Sequence, residues 1–369
     1  MRRRAVVYWE TMNLAFALGA YESYDGPAPQ PTWSRSGRRA RSSLVAVAVT
    51  LAMLAACATV SPAHSPAQAP ALTAARQGGA DAGKTRSETP PPPPAAALAP
   101  AASELPRGGR KLFPDYRLVG FCGTPGAPEL GELQGNLPNK ARKLEAQAAK
   151  YGDDRKLLPV FELIAVVVQS GAGKDGKYRR RVDDSIVDEY LRLARASKGI
   201  LLLNIQPGQS DFVTEVKTFE SYLREPDVGI ALDPEWAMRG KQTPGKYYGN
   251  TDGQTINDVA AYLSEIIDKN HLPEKALVFH QVNRQVFSVK DEAELKPYPG
   301  VAVIKSVDGL GPMHSKIETY NYLVKTMTTG VHAGFKLFFD EDTRVQGSQI
   351  MSPKQVLALT PRPEYVMYE

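Results

Sequence analysis

Short apolar runs alternate with amphipathic segments along most of this chain of 369 residues. The runs are nearly continuous rather than alternating, which is typical of parallel strands covered on both faces. We interpret them as seven strands and a possible eighth. They span residues 117–123, 157–169, 200–206, 228–235, 275–282, 301–308, 335–340 and 365–368.

Helical patterns separate these runs. In residues 184–196, apolar side chains recur at the spacing of one helix face. Asp211 and Asp252 stand where N-caps are expected, and Pro353 follows Ser352 as a first-turn proline. The predicted helices span residues 139–151, 184–196, 212–223, 255–269, 315–328 and 353–359.

Seven or eight βα units in about 260 residues predict a (β/α)8 barrel, of the TIM type. An open doubly wound parallel sheet is the alternative. No Gly-x-Gly-x-x-Gly follows the first strand, and Gly171 to Lys174 lack the spacing of a phosphate-binding loop. We interpret that second segment as a basic surface loop that runs to Arg181.

The N-terminal third has a different pattern. Basic residues from Arg35 to Arg41 precede a short apolar run that ends in Leu-Ala-Ala-Cys at Cys57. This layout is typical of an export signal, and the run is too short for a membrane span. The last four residues resemble a bacterial lipoprotein signal. That resemblance implies lipidation of Cys57, for example with palmitate, and a protein anchored to the membrane outside the cytoplasm. An ordinary secretory signal is the alternative.

We therefore predict three regions: an upstream extension and signal peptide (1–57), a disordered linker rich in Ala and Pro (58–109), and the barrel (110–369). Residues 1–33 suggest a misplaced start codon. Residues 109–369 carry 34 basic and 34 acidic side chains, so the overall net charge of +5 comes from the N-terminal third. This balance does not favour nucleic acid as a partner. Cys122 is expected to be a buried strand residue, and a catalytic thiol is the alternative.

Polar residues cluster at the ends of the predicted strands, where barrels of this type form their sites. They are Asn204, Gln206, Asp233, Glu235, Trp236, His280, Gln281, Lys305, Asp308 and Asp340. Strand alternation would put Asp233 and Glu235 on one face. The charge of one carboxylate raises the pKa of the other, so Glu235 is expected to stay protonated as a general acid.

Asp-x-Glu followed by an aromatic residue, at the end of strand four, resembles the catalytic strand of chitinase-type and muramidase-type glycoside hydrolases. The resemblance covers fewer than ten residues and implies that Glu235 is the proton donor and Asp233 its partner. Ala231 and Pro234 depart from the chitinase pattern. A second arrangement pairs Glu235 with Asp340 as nucleophile or base, at about 5–5.5 Å for retention or about 6.5–9.5 Å for inversion.

Trp236, Tyr247 and Tyr248 are candidate sugar-stacking residues on a long loop after strand four. No His-x-His or His-Glu-x-x-His spacing indicates a metal, and we predict no cofactor. The leading hypothesis is an exported, lipid-anchored glycoside hydrolase that acts on an envelope or environmental polysaccharide. The alternatives are a non-catalytic barrel that binds a wall glycan or protein partner, and a metal-dependent hydrolase at the same rim.

Overall fold

The computed structural model describes residues 104–152 and 154–369. The predicted signal, Cys57 and residues 58–103 of the linker lie outside the described residues. The strands are β1 Tyr116–Gly123, β2 Lys156–Val168, β3 Arg179–Arg181, β4 Ile200–Ile205, β5 Val228–Leu232, β6 Lys275–Gln281, β7 Val301–Val307, β8 His332–Leu337 and β9 Tyr365–Tyr368.

Eight of these strands form a closed parallel barrel. β1 pairs in parallel with β2 on one side and with β9 on the other, and the remaining neighbours follow in the order β8, β7, β6, β5 and β4. The short β3 is the exception, since it pairs antiparallel with the end of β2. The (β/α)8 prediction is confirmed, because an open sheet would leave β1 without one of its two neighbours.

Helices connect every pair of consecutive parallel strands, as a parallel barrel requires. They are α1 Leu137–Ala148, α2 Asp184–Ala196, α3 Phe212–Lys217, α4 Glu220–Leu223, α5 Gly253–Asn270, α6 Val289–Ala293, α7 Met313–Val324 and α8 Pro353–Leu357. Asp211 and Asp252 cap α3 and α5 as predicted. None of these helices has the length and hydropathy needed to cross a membrane.

Two strands end three residues earlier than the apolar runs suggested, and both changes affect the candidate site. β5 ends at Leu232, and Pro234–Trp236 form a 3-10 turn instead of continuing the strand. β8 begins at His332 and ends at Leu337, so Asp340 lies in the following loop. The prediction also missed β3 and α6, and it merged α3 with α4.

The barrel interior is apolar at its N-terminal end and is filled by pairing large side chains with glycine. Gly120 on β1 faces Met367 and Val160, and Gly229 on β5 faces Leu202. A Cβ at Gly120 would lie 2.6 Å from Met367 Cε and 2.7 Å from the carbonyl oxygen of Val160. The backbones of β1 and β2 can therefore approach at this level only because residue 120 has no side chain.

Gly120→Ala should lower the free energy of unfolding by about 1–3 kcal/mol, because the added methyl group overpacks the barrel interior. Gly171→Ala is the control, since its Cβ would meet nothing within 4 Å on an exposed loop. Chemical denaturation of both variants measures the difference. Identical unfolding midpoints for Gly120→Ala and the parent would contradict the close approach.

Candidate active site

A layer of polar side chains lies above the apolar interior, at the C-terminal end of the barrel. It arises because the strands alternate, so that every second residue points to the barrel axis. Its members are buried and come from the eight barrel strands or the segments that directly follow them. They are Cys122, Glu162, Asn204, Asp233, His280, Ser306, Asp308, Lys336 and Tyr365.

His280 is the centre of this layer. Its Nδ1 is 2.8 Å from Asp308 Oδ2, and its Nε2 is 3.2 Å from Glu162 Oε1. The second contact is an ion pair rather than an aligned hydrogen bond. Tyr365 donates its hydroxyl to Glu162 Oε2 at 2.6 Å, and Ser306 donates to Asp308 Oδ1 at 2.7 Å. The imidazole is therefore held between two carboxylates.

The carboxylates keep the buried imidazole charged. Burial alone would lower the pKa of His280, but Asp308 and Glu162 outweigh it and raise that pKa well above its usual value. Burial likewise opposes ionisation of Asp308, and the charges of His280 and Lys336 lower its pKa to about 2. The pKa of Glu162 is also lowered, because His280 offsets burial. Asp308 is therefore an ionised carboxylate at neutral pH.

Asp233 lies directly after β5 and is held by two amides. Asn204 Nδ2 donates to its Oδ1 at 3.0 Å, and Gln206 Nε2 donates to its Oδ2 at 3.1 Å. Burial raises the pKa of Asp233, despite the opposing charges of His280 and Lys336. The amide of Asn204 also donates to Glu162, so it connects Asp233 to the group formed by Glu162, His280 and Asp308, which we call the His280 cluster.

Glu235 stands above this layer in the 3-10 turn of Pro234–Trp236. The backbone NH of Gly249 donates to its carbonyl oxygen at 2.7 Å, which ties the turn to the following loop. Its carboxyl Oε2 is inaccessible to solvent and has no hydrogen-bond partner among the described residues. Burial, followed by the charges of Asp233 and Asp308, raises the pKa of Glu235 well above its usual value.

Lys336 supplies the cation on the opposite wall. Its Nζ is 2.6 Å from Glu369 Oε2 and 3.5 Å from Asp308 Oδ2. Burial opposes the ammonium form, but these two carboxylates outweigh it and raise the pKa of Lys336 well above its usual value. The Cys122 thiol donates to Glu369 at 3.3 Å, and burial with the charge of Glu369 raises the pKa of that thiol. Cys122 is thus a buried strand residue, as predicted.

These groups surround a cavity of about 40 Å³ at the barrel mouth. It is lined by Leu130, Ile164, Gln206, Asp233, Glu235, Trp236, Tyr248, Val282, Asp308, Leu310, Lys336, Phe338 and Glu369. That space suffices for a few water molecules. Among the described residues, no group of three or more His, Cys, Asp or Glu side chains is arranged to hold a metal ion.

Most of the residues predicted from the sequence do come together. Asp233, Glu235, Trp236, Gln206, Tyr248 and Asp308 line the cavity, and Asn204 and His280 lie in the polar layer that holds Asp233 and Asp308. Glu235 reaches the cavity through the 3-10 turn and not through strand alternation. Asp233 occupies the inward strand position, as expected.

Asp340, the predicted nucleophile or base, is not brought into this group. The residues after Leu337 form a loop, and Asp340 is exposed at the start of a 3-10 turn, outside the cavity lining. Tyr247 is also exposed and does not line the cavity. The expected pairing of Glu235 with Asp340 is corrected, because β8 ends three residues before Asp340.

Gln281 and Lys305 point away from the barrel axis. Gln281 Nε2 donates to the carbonyl of Phe287 at 2.6 Å, and Lys305 Nζ donates to Glu292 at 2.6 Å and to the carbonyl of Leu323 at 2.7 Å. Both are buried between the strands and the outer layer of helices and loops. The prediction that they lie at the substrate site is therefore corrected. On β6 and β7 the even-numbered residues, such as His280 and Ser306, face the barrel axis, and the odd-numbered Gln281 and Lys305 face away from it.

Lys336 and Glu369 are site residues that sequence reasoning missed. Lys336 is the single charge in the run Phe-Lys-Leu-Phe-Phe, and it shares the inward register with Gly334 and Phe338. Applying the alternation rule to that run would have found it. Glu369 follows β9 in the same inward register as Tyr365 and Met367.

A scan against protein-family models gave no match, and neither did a search of curated proteins. Among solved structures, the spore cortex-lytic enzyme SleL of Bacillus megaterium QM B1551 is similar, at 11% identity and a TM-score of 0.34. The alignment covers 68% of this chain and 59% of SleL, so the chain spans less than two thirds of that protein.

Two further similar structures differ from each other in chemistry. A broad-specificity GH5-4 endoglucanase from Clostridium longisporum is 14% identical with a TM-score of 0.34, over 62% of this chain and 74% of its own. A sugar phosphate isomerase/epimerase from Parabacteroides distasonis is 10% identical with a TM-score of 0.30, over 65% and 90%. These similarities do not decide the function of this chain, because a barrel fold hosts many activities and function must be argued from the site.

The raised pKa of Glu235 should make the folded protein less stable as pH rises. The carboxyl binds its proton more tightly in the folded than in the unfolded chain, so stability falls as pH increases above the unfolded value of about 4.3. Glu235→Gln removes this titration. We expect the variant to be more stable than the parent by roughly 0.5–2 kcal/mol at pH 7.

Denaturation measured between pH 4 and pH 8 tests this, and the difference between variant and parent should disappear below about pH 4. Asp340→Asn, at an exposed position on the same rim, should stay within about 0.5 kcal/mol of the parent at every pH. A difference for Glu235→Gln that does not depend on pH would mean that the carboxyl is not held in its protonated form.

Proposed function

We propose that this protein is a glycoside hydrolase, with Glu235 as the general acid and Asp308 as its ionised partner. One observation supports this more than any other: two carboxyl groups lining the same cavity have pKa values displaced in opposite directions. Burial and the nearby carboxylates keep Glu235 protonated, whereas His280 and Lys336 keep Asp308 ionised. Such a pair identifies an acid and a base or nucleophile.

The chemistry of acetal cleavage requires this division of roles. Glu235 would donate its proton to the glycosidic oxygen as the bond to the sugar breaks. Asp308 would stabilise the positive charge that develops on the sugar ring, by attacking it directly or by activating a water molecule. His280 and Ser306 hold Asp308 by hydrogen bonds, so its carboxylate is oriented before substrate arrives.

Trp236, Tyr248 and Phe338 provide the aromatic part of the cavity lining. Aromatic rings of this kind stack against sugar faces. Trp236 follows Glu235 directly in sequence, and Tyr248 precedes Gly249, whose backbone NH donates to the carbonyl oxygen of Glu235. We propose that they position a polysaccharide across the mouth, with the bond to be cleaved above Glu235.

A glycan-binding barrel without turnover is the second candidate, and the size of the cavity favours it. About 40 Å³ is far below the roughly 300–1,000 Å³ of pockets that enclose small ligands. For hydrolysis, the loop of residues 237–251 would have to open so that a sugar ring reaches Glu235. For binding alone, the glycan would lie across the rim without entering.

Glu235→Gln should reduce glycan hydrolysis by roughly 100- to 10,000-fold, the usual contribution of a general acid. Activity of the parent should fall as pH rises through the raised pKa of Glu235, because the acid form is then lost. The assay is release of reducing ends from purified peptidoglycan, chitin oligosaccharides, a soluble β-glucan and polygalacturonate.

Asp340→Asn is the matched control, an acid on the same rim that lies outside the cavity, and its activity should equal that of the parent. If the parent releases no reducing ends from any of these glycans but binds one of them, the binding role replaces hydrolysis. Equal losses in Asp340→Asn and Glu235→Gln would contradict the assignment of Glu235.

We also propose that the protein is exported and anchored by a lipid at Cys57. The basic cluster, the short apolar run and the Leu-Ala-Ala-Cys end support this, together with the spacer between Cys57 and the barrel. In that arrangement the linker would hold the barrel away from the membrane and within reach of an envelope polysaccharide.

Cys57→Ser should abolish incorporation of labelled palmitate into the full-length chain and release the protein from the membrane fraction of an expressing bacterium. Cys122→Ser should retain the label, because Cys122 is buried in the barrel. Metabolic labelling followed by fractionation measures both. Labelling of Cys57→Ser at the level of the parent would contradict the anchor.

A further inference from the structure

Two loops at the barrel mouth carry a concentrated positive charge. Residues 169–181, after β2, and residues 237–251, after β5, together contain eight Lys or Arg and a single acidic residue, Asp175. We call these two loops the basic rim. Its excess contrasts with the balanced charge of residues 109–369, which carry 34 basic and 34 acidic side chains.

The two loops form one surface because the short loop after β4 joins them. Gly208 accepts a hydrogen bond from the backbone NH of Met238 at 2.8 Å and forms a bridge with Ala237. Gln209 donates its backbone NH to Lys177 at 2.7 Å, and its side chain donates to the carbonyl of Gln242. The two loops of the basic rim are therefore held next to each other on the side of β2, β4 and β5.

Part of this charge anchors the loops and part of it faces solvent. Arg179 and Arg181 both pair with the buried Glu215 on α3, at 2.8 and 2.7 Å. Lys174, Lys241 and Lys246 are exposed and have no ion-pair partner within the part of the chain that the structure describes. These three ammonium groups are available to a ligand.

The basic rim is continuous with the candidate active site. Tyr248 belongs to the rim and lines the cavity, and the adjacent Gly249 holds the carbonyl of Glu235. The opposite side of the mouth, after β8, carries Asp340, Glu341 and Asp342 in sequence. Strand order puts β8 directly across the barrel from β4. Glu341 is paired with Arg344, and the buried Asp342 is paired with Lys316, so the exposed charge of the mouth is predominantly that of the basic rim.

We propose that the basic rim binds a polyanionic glycan, with carboxylate or phosphate groups along its chain, and lays it beside Glu235. The proposal rests on the proposed function in one respect, that the bound chain is a glycan. A glycan fits better than a nucleic acid or a lipid surface, because the rim leads to a carboxyl pair suited to acetal cleavage. The cation in that cavity, Lys336, is already paired with Glu369 and Asp308.

Binding is measured with the full-length chain carrying Glu235→Gln, so that no glycan is consumed. The probes are polygalacturonate, a glycerol-phosphate polymer and neutral dextran, with duplex DNA and phosphatidylglycerol vesicles as the other polyanion classes. We expect one or both anionic glycans to bind more tightly than dextran, DNA and vesicles. Their affinity should fall as salt rises, because exposed charges are screened.

Combined Lys174→Gln, Lys241→Gln and Lys246→Gln should weaken that binding by about tenfold at low ionic strength. The control combines Lys150→Gln, Lys269→Gln and Lys325→Gln, which removes the same charge from exposed positions at or just after the C-terminal ends of α1, α5 and α7. It should bind like the parent. The two anionic glycans distinguish carboxylate from phosphate recognition.

Equal binding by the two triple variants, or dextran binding as tight as that of either anionic glycan, would overturn the proposal. Tighter binding of DNA or vesicles would assign the basic rim to that class and would also overturn it. The outcome is separable from the proposed function, because binding is measured in Glu235→Gln, where hydrolysis plays no part, whereas the proposed function is tested by the release of reducing ends. Conversely, a non-catalytic barrel still shows rim-dependent binding.

Discussion

The His280 cluster is the interaction on which the barrel mouth depends. Burying an ion inside a protein costs several kcal/mol unless partners and hydrogen bonds satisfy it. Glu162, His280 and Asp308 meet this condition together, because each carboxylate contacts the imidazole and accepts a hydrogen bond from a hydroxyl. Removing one member would leave a charge without a partner in the centre of the barrel. The polar layer can therefore exist only as a unit.

The character of the candidate site follows from this unit. Asp308 is ionised because His280 and Lys336 face it, and its fixed negative charge contributes to the raised pKa of Glu235. Asp233 adds to the same effect from the other side, while Asn204 and Gln206 hold it in place. The surroundings thus keep Glu235 protonated and Asp308 ionised within one cavity. The difference comes from the surroundings and not from the residue types, since both side chains are carboxylic acids. A buried carboxyl oxygen without a hydrogen-bond partner, such as Oε2 of Glu235, destabilises a protein, so selection for stability alone would not retain it.

The sequence predicted the barrel well, because apolar runs and helical stripes are local signals. Asp233, Asn204 and His280 do point to the barrel axis, because Asn204 and His280 lie on strands whose register the apolar pattern defines and Asp233 directly follows such a strand. The failures have two physical origins: an apolar run does not mark where its strand ends, and a position near a strand end does not show which way the side chain points. Asp340 was assigned to the end of a strand that stops at Leu337, and Lys305 and Gln281 were assigned to the mouth without regard to their outward register. Total charge was similarly uninformative about the basic rim, because acidic residues elsewhere balance it.

The basic rim and the acidic cavity influence each other through their charges. Ammonium groups near the mouth favour the ionised form of Glu235 and so oppose its proposed role as an acid. A bound polyanion would neutralise them and add negative charge beside the carboxyl, which raises the pKa of Glu235 further. The proton would then be held most tightly when the substrate is in place. Exposed charges interact weakly in water, but exclusion of water by a chain lying over the cavity would strengthen each of these interactions. A positive rim on one side of a protonated acid is therefore consistent with the proposed anionic substrate, whereas with a neutral substrate the rim would only weaken the acid.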